Sequence, residues 1–224
     1  MTILAQPTAP PRERRFVPES QRLVLSNVRW DSYVAIGALL PDRPCLRMTY
    51  DRGALEFMTT STEHEIYKKR LGRLIETLAE ECNLRIASAG NMTFQNRELE
   101  RGLEPDDCYW IAHEENMRAR LDWDPTRDPP PDLVVEIEIS RSALDRMSIY
   151  AALGVLEVWR CDGTTLRARL LQPNGGWQES EYSPTFPKIP LAGIVPFLQP
   201  SAAVDYLSMV RSFRAWVWEQ SARP

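Results

Sequence analysis

Residues 128–163 run DPPPDLVVEIEIS (128–140), RSALDRMSIYAALG (141–154) and VLEVWRCDG (155–163). The first block is β-branched and apolar after a run of prolines, which predicts a strand. The second has a helical period and stops at Gly154, a residue that suits the left-handed conformation just past a helix end. The third returns to strand character. Asp162-Gly163 then turns the chain into TLRARLL (165–171), a further strand. Strand, short helix and two strands in 44 residues point to an α/β sheet with helices packed on it.

Upstream, LRMTYDRGALEFM (46–58) reads as a hairpin that turns at Asp51-Arg52-Gly53. It leads into TTSTEHEIYKKRLGRLIETLAEEC (59–82), the clearest helix in the chain. Ser61 or Thr62 is placed to cap it, and Glu63 and Glu65 favour its positive end. Ile66, Leu71, Leu74, Ile75, Leu78 and Cys82 form its predicted apolar face, with Lys68, Lys69, Arg70 and Arg73 opposite. NVRWDSYVAIGALL (27–40) predicts a short first helix capped by Ser26 or Asn27, with Trp30, Tyr33, Val34 and Leu40 inward. The period falls toward two in LRIASAG (84–90), MTFQ (92–95) and DDCYWI (106–111). WQESEY (177–182) reads as another strand. AAVDYLSMVRSFRAWVWEQ (202–220) is an amphipathic helix with a stripe of Val204, Leu207, Val210, Phe213 and Val217. The expected architecture is one α/β domain over 21–224, a central mixed β-sheet flanked by helices. Residues 1–20, with Pro7, Pro10, Pro11 and Pro18, are expected to form a flexible tail.

The composition limits the function. The chain has 224 residues, 43% of them hydrophobic and 26% charged, and a net charge of −4. That composition supports a full core and excludes collagen, coiled coil and whole-chain disorder. No apolar run approaches the ~20 residues of a membrane span. Bulk charge does not suit a protein that coats nucleic acid, so any such contact needs a local patch. Lysine is scarce: Lys68, Lys69 and Lys188 are the only ones. Cysteines 45, 82, 108 and 161 lack metal-ligand spacing and read as reduced, buried thiols. With no export signal at the N-terminus, a cytoplasmic location is expected.

Acids stand in two places where a strand would favour apolar residues: Glu104-Pro105-Asp106-Asp107, entering CYWI, and Glu136-Ile137-Glu138. Residues two apart on a strand share a face, so Glu136 and Glu138 project together. Buried carboxylates need a compensating cation. A divalent metal with oxygen ligands meets that need; so does an arginine from the set Arg141, Arg146 and Arg160; and an exposed sheet face removes it. Spacing alone leaves all three open.

The collinear pattern EPDDCYWI … DPPPDLVVEIEISRSALDRMSIYAALGVLEVWRCDG resembles the Uma-two-type restriction endonuclease family of the PD-(D/E)XK nuclease superfamily. The resemblance runs from about residue 22 to about 215 and takes in the Glu56 strand and the helix led by His64. It implies a restriction-endonuclease-like fold and phosphodiester hydrolysis, with DNA the expected partner and Mg²⁺ (or Mn²⁺) the cofactor. Carried over, Asp106 and Glu136 match the metal-binding acids, and the carbonyl of Ile137 a further ligand. His64 and Glu65 match the polar helix start that borders the site. The motif lysine position is Glu138, which cannot donate as an ammonium does. Arg146, four residues before Tyr150, is nearest to a replacement, as an electrostatic stabiliser. Lys68 and Lys69 are candidate phosphate contacts, or part of a solvated helix face. His113 is expected to be solvated. Trp159, Trp216 and Trp218 read as core or dimer contacts, and RAWVWEQ (214–220) motivates a homodimer. Loss of the lysine keeps a second reading open: a nuclease fold that binds nucleic acid or protein without cleaving. A third is an interaction protein whose acids are ordinary ion pairs.

Overall fold

The structure is a computed structural model that describes residues 21–40, 46–139 and 141–222. The tail assigned to 1–20, and Cys45, lie outside the described residues. Two sheets form. The first is antiparallel, in the order β1-β3-β2-β6-β5, built from β1 (Arg22–Leu25), β2 (Leu46–Asp51), β3 (Ala54–Thr59), β5 (Phe94–Asn96) and β6 (Arg101–Leu103). The second is mixed, in the order β11-β10-β9-β8-β7-β4. It is built from β4 (Ala87–Ser88), β7 (Asp107–Trp110), β8 (Leu133–Ile137), β9 (Glu157–Cys161), β10 (Leu166–Leu171) and β11 (Trp177–Ser180). The expected mixed sheet with flanking helices is present. The antiparallel sheet is separate from it, and its strands β1 and β6 are too short to stand out in the sequence.

Local chemistry explains the main elements. The β2–β3 hairpin turns on Arg52 and Gly53, with φ of 43° and 94°. Two left-handed residues in a two-residue loop match the right-handed twist of the strands. β8 and β9 are parallel and are joined through α4 (Arg146–Ala152), because a parallel pair needs a crossover. Gly154, at φ 83°, ends α4 as its position in the sequence implies. α2 (Thr62–Glu81) is capped by Ser61, whose hydroxyl accepts from the His64 N–H at 3.2 Å.

The mixed sheet is buried on both faces. Leu133, Val135 and Ile137 of β8 pack with Leu71, Leu74, Ile75 and Leu78 of α2 and with Phe213 and Val217 of α6 (Tyr206–Ser221). Val134, between them in sequence, faces the other way, into a core with Ile149 and Tyr150 of α4 and Phe94 and Leu103 of the first sheet. Glu136 shares the parity of Val134, so it also points at α4. Each fully buried Leu or Ile of α2 is worth about 1.5–3 kcal/mol relative to exposure. A third cluster packs Trp30 and Tyr33 of α1 (Trp30–Leu39) on Met48, Tyr50 and Leu55.

Several sequence expectations are corrected. α1 starts at Trp30, and neither Ser26 nor Asn27 caps it; Asn27 is left-handed at φ 59° and turns the chain ahead of the helix. Only Trp30 and Tyr33 of its predicted face are buried, whereas Val34 and Leu40 are exposed. Ile66 and Cys82 fall outside the buried face of α2, and Val204 and Leu207 lie outside that of α6, where Met209 takes part instead. Cys108 and Cys161 are buried thiols as expected, and burial pushes Cys161 up to about 11. His113 is not merely solvated: its Nδ1 lies 2.7 Å from Asp132 Oδ1. Trp159 is core, and Trp216 packs on Phe197 and Phe213. Trp218 remains exposed, with its Nε1 donating to Glu81.

Candidate active site

β7 and β8 are antiparallel, with Asp107 opposite Val135 and Cys108 opposite Val134. One step further, Asp106 falls opposite Glu136, and the Asp106 N–H donates to Val135 O at 3.2 Å. Directly opposed residues of an antiparallel pair lie on one face. Two carboxylates, 4% and 8% exposed, therefore face the α4 side of the sheet together.

Each acid has its own basic partner. Asp106 Oδ2 accepts from the Ile137 N–H at 2.7 Å and from His64 Nε2 at 3.0 Å. His64 stands in the first turn of α2, and its Nδ1 lies 3.3 Å from Glu65 Oε1, which also accepts from the Thr60 hydroxyl. Glu136 Oε1 accepts from Arg146 Nη2 at 2.5 Å, from Arg146 Nε at 3.1 Å and from the Tyr150 hydroxyl. Arg146 is bound on every side, donating also to Thr49 Oγ1 at 2.7 Å and to Glu104 O at 2.8 Å. It ties the antiparallel sheet to the mixed one. Arg47, beside Thr49's position on β2, brings Nε to 3.8 Å from Asp106 Oδ1; that buried Nε has no hydrogen-bond partner among the described residues.

The electrostatics separate the two acids. Burial works to raise Asp106, but the His64 bond and charge, the Ile137 N–H and Arg146 outweigh it and hold the carboxyl below its ordinary range. Burial pushes Glu136 up, Arg146 pulls it back, and the charge on Asp106 adds to the rise; the net direction is upward. Burial opposes protonation of His64, but Asp106 and Glu65 overcome it and raise its pKa. Burial and the neighbouring Glu136 lift the Tyr150 hydroxyl well above the ordinary tyrosine range, so it stays a donor.

The supports come from both sheets. Glu56 of β3, 1% exposed, accepts from the Ala143 N–H at 2.6 Å and from the Ser142 hydroxyl, fixing the segment that leads into α4. Arg101 of β6 bonds Asp51 at 2.9 Å and Ser148 O at 3.0 Å, holding α4 from below.

A model of the Uma2 family, described as putative restriction endonuclease, matches residues 30–203, well over half of the chain. The chain belongs to the Uma2 family. Among solved structures, this Uma2 chain is similar to a putative nuclease belonging to DUF820 from Anabaena variabilis, at 11% identity and a TM-score of 0.49, over 85% of this chain and 99% of that one. A search of the curated proteins found no match.

The Uma2 fold brings Asp106, Glu136, Ile137, His64 and Arg146 together. It keeps Glu65 at the outer side of His64. Glu138 lies just past β8 at the mouth of the cleft, bonded to Arg160 Nε at 2.7 Å. Thus two of the arginines named as alternative partners do pair with the acids: Arg146 with Glu136, and Arg160 with Glu138. Among the described residues neither Lys68 nor Lys69 bonds Asp106 or Glu136; Lys68 is half-buried and its charge acts on Asp107, on the other face of β7, and Lys69 is exposed. Arg47 and Thr49 border the candidate site without having been named from the sequence, and Glu56, Glu104 and Tyr150 were named there without a place in it. Their signal was present: Arg47 and Thr49 alternate with Met48 and Tyr50, a polar face on a strand that a core should have filled.

Proposed function

We propose that this chain is a divalent-metal-dependent endonuclease that hydrolyses phosphodiester bonds in DNA. The observation that carries the reading is the register opposition of Asp106 and Glu136 on one buried face. Their donor set suits a hard cation. Mg²⁺ takes one or two carboxylates and fills its remaining positions with water and phosphate oxygens. No group of three or more His, Cys, Asp or Glu side chains able to hold a metal occurs among the described residues. Among the described residues all bonds to Glu136 fall on Oε1, and Asp106 Oδ1 has only the 3.8 Å approach of Arg47. One oxygen of each acid is thus left for Mg²⁺ or Mn²⁺, with the Ile137 carbonyl as the third ligand in this reading.

A bound dication supplies polarisation of a phosphoryl oxygen and a lowered pKa for a coordinated water. The chain's own residues do the rest. His64 and the Ile137 N–H hold Asp106 in one orientation and keep it ionised. Tyr150 and Arg146 orient Glu136, and the Arg146 charge counters the rise that burial causes. Arg146 puts a permanent positive charge beside the reacting phosphate, where negative charge grows; it is too basic to act as the general base. Glu65 links the imidazole of His64 to the solvent side. Under the same proposal the protein works in the cytoplasm with reduced thiols, and pairs as a homodimer through the Trp218 end.

One feature favours a second reading. Arg146 saturates Oε1 of Glu136 with a full positive charge, which suits a fold that binds nucleic acid or protein without cutting. Plasmid nicking separates the two. The nuclease reading expects conversion in Mg²⁺ or Mn²⁺, none in EDTA, and loss in Asp106→Ala and Glu136→Ala. Salt-sensitive binding with no cleavage in any divalent metal selects the second reading.

A further inference from the structure

The motif lysine is absent, and its position is Glu138. Across the mixed sheet a single row of facing side chains continues from the two acids. Glu136 of β8 is in register with Arg160 of β9, and Arg160 with Arg167 of β10. Register partners share a face, and neighbouring strands lie about 4.8 Å apart. The row therefore reads Asp106, Glu136, Arg160, Arg167 across four adjacent strands.

Two arginines directly opposite one another repel, which destabilises a sheet unless each is neutralised. Here the neutralisation is partial. Arg160 gives Nε and Nη2 to one oxygen of Glu138, and no bond to its Nη1 occurs among the described residues. Arg167 reaches Glu179 and Glu181 only at 3.6 and 3.7 Å, beyond hydrogen-bond distance. Both guanidinium side chains are 31% exposed. Arg160 also lines an open cleft of about 150 Å³ together with Glu136, Glu138, Arg141 and Arg146. Arg146 is buried and fully bonded, so the cations left to meet an anion in that cleft are the exposed Arg141, ahead of α4, and Arg160, which β9 holds in the row of the two acids.

We infer that Arg160 and Arg167 form the track along which a nucleic-acid phosphate backbone leaves the catalytic cleft, with Glu138 the positioning residue that aims Arg160. This rests on the nuclease reading and deepens it. Arg160 is the substrate contact nearer to the cleft, and Arg167 meets the backbone one strand further out. Glu138 is then no ligand: it holds the planar fork of Arg160 and leaves Nη1 facing the cleft.

The test is fluorescence anisotropy with a labelled 20-base-pair DNA duplex, in EDTA, over a range of NaCl concentrations. Arg160→Met is expected to weaken binding on the order of tenfold, and to lower the slope of log K against log salt by about 0.9. Arg167→Met should lower it by a similar amount, and the double variant by about twice as much. Arg160→Lys keeps the charge and should keep the slope. Arg214→Met, on α6 in the opposite layer, should bind as wild type does. Thermal unfolding of each variant separates loss of fold from loss of contact. Wild-type slope and affinity in folded Arg160→Met and Arg167→Met overturn the track, while metal-dependent nicking by those variants leaves the nuclease reading standing. Absence of duplex binding by the wild type also overturns the track, and nicking then decides the nuclease reading by itself.

Discussion

Arg146 on α4 closes on Glu136 of β8 through both Nε and Nη2, and the same guanidinium reaches Thr49 on β2 and the carbonyl of Glu104. One buried cation thus joins the two sheets at the point where the candidate metal ligands meet. Removing either partner strands a charge in a dry site, which costs about 3–5 kcal/mol. Glu136→Leu and Arg146→Met are each expected to destabilise by that order. The double variant should lose much less than the sum, because no lone charge remains. Urea unfolding of the four proteins measures the coupling; additive losses contradict it.

Gly72 brings α2 close against β7. A Cβ there would sit 2.9 Å from Asp107 Oδ2 and 3.3 Å from the Tyr109 hydroxyl. Those two groups bond each other at 2.6 Å in a packed site, so they have little freedom to yield. Gly72→Ala gains helix propensity but forces α2 outward, for an expected net loss of about 1–3 kcal/mol. Because His64 rides on the same helix, metal-dependent nicking should fall as well. A rise in melting temperature would show that the contact is slack.

The β9–β10 turn carries a pH signature. Asp162 accepts from the Thr164 and Thr165 N–H groups at 2.8 and 2.7 Å and from both threonine hydroxyls. Burial is the largest single influence and works to raise its carboxyl, but these bonds together prevail and bring it down from 3.8 to about 2. A depressed folded-state pKa contributes stability that is present above the ordinary value and lost as pH falls through the folded one. Melting temperature should therefore drop between about pH 4 and pH 2, and Asp162→Asn should flatten that limb. An unchanged acid limb in the variant assigns the loss to other carboxylates.

Glu56 acts at a distance from the two facing acids, Asp106 and Glu136. It holds Ala143 and Ser142 ahead of α4, and so sets where Arg146 begins. Glu56→Ala removes two hydrogen bonds to a buried carboxylate, from the Ala143 N–H and the Ser142 hydroxyl, at an expected cost of about 1.5–3 kcal/mol. Nicking should fall together with stability, while Glu56→Gln, which keeps an acceptor for the Ala143 N–H, should recover part of both. Full activity in Glu56→Ala would remove it from the supporting set.

The legible part of this protein was its strong periodicity. The β2–β3 hairpin, α2, β8, α4, β9 and β10 all follow from alternation, capping and glycine position. β1 and β6 have only four and three residues, too few for a period to show. α1 carries apolar residues on every side, so the sequence could not say that only Trp30 and Tyr33 turn inward. Asp106 and Glu136 were found through a collinear pattern. Their mutual register and the cations upon them depend on pairing across the sheets, which no local spacing encodes. Glu138 illustrates the difference: by spacing it sits beside Glu136 as a second acid, but in space Arg160 claims it from the next strand.

The account stands on one shared divalent ion. Crystals soaked in Mn²⁺, with anomalous scattering recorded, test it most directly. A single peak within bonding reach of both Asp106 and Glu136, at ~2.1 Å for an ion of magnesium's size, is the expected result. Soaked crystals in which the two carboxylates keep only His64 and Arg146, with no anomalous peak between them, would contradict it.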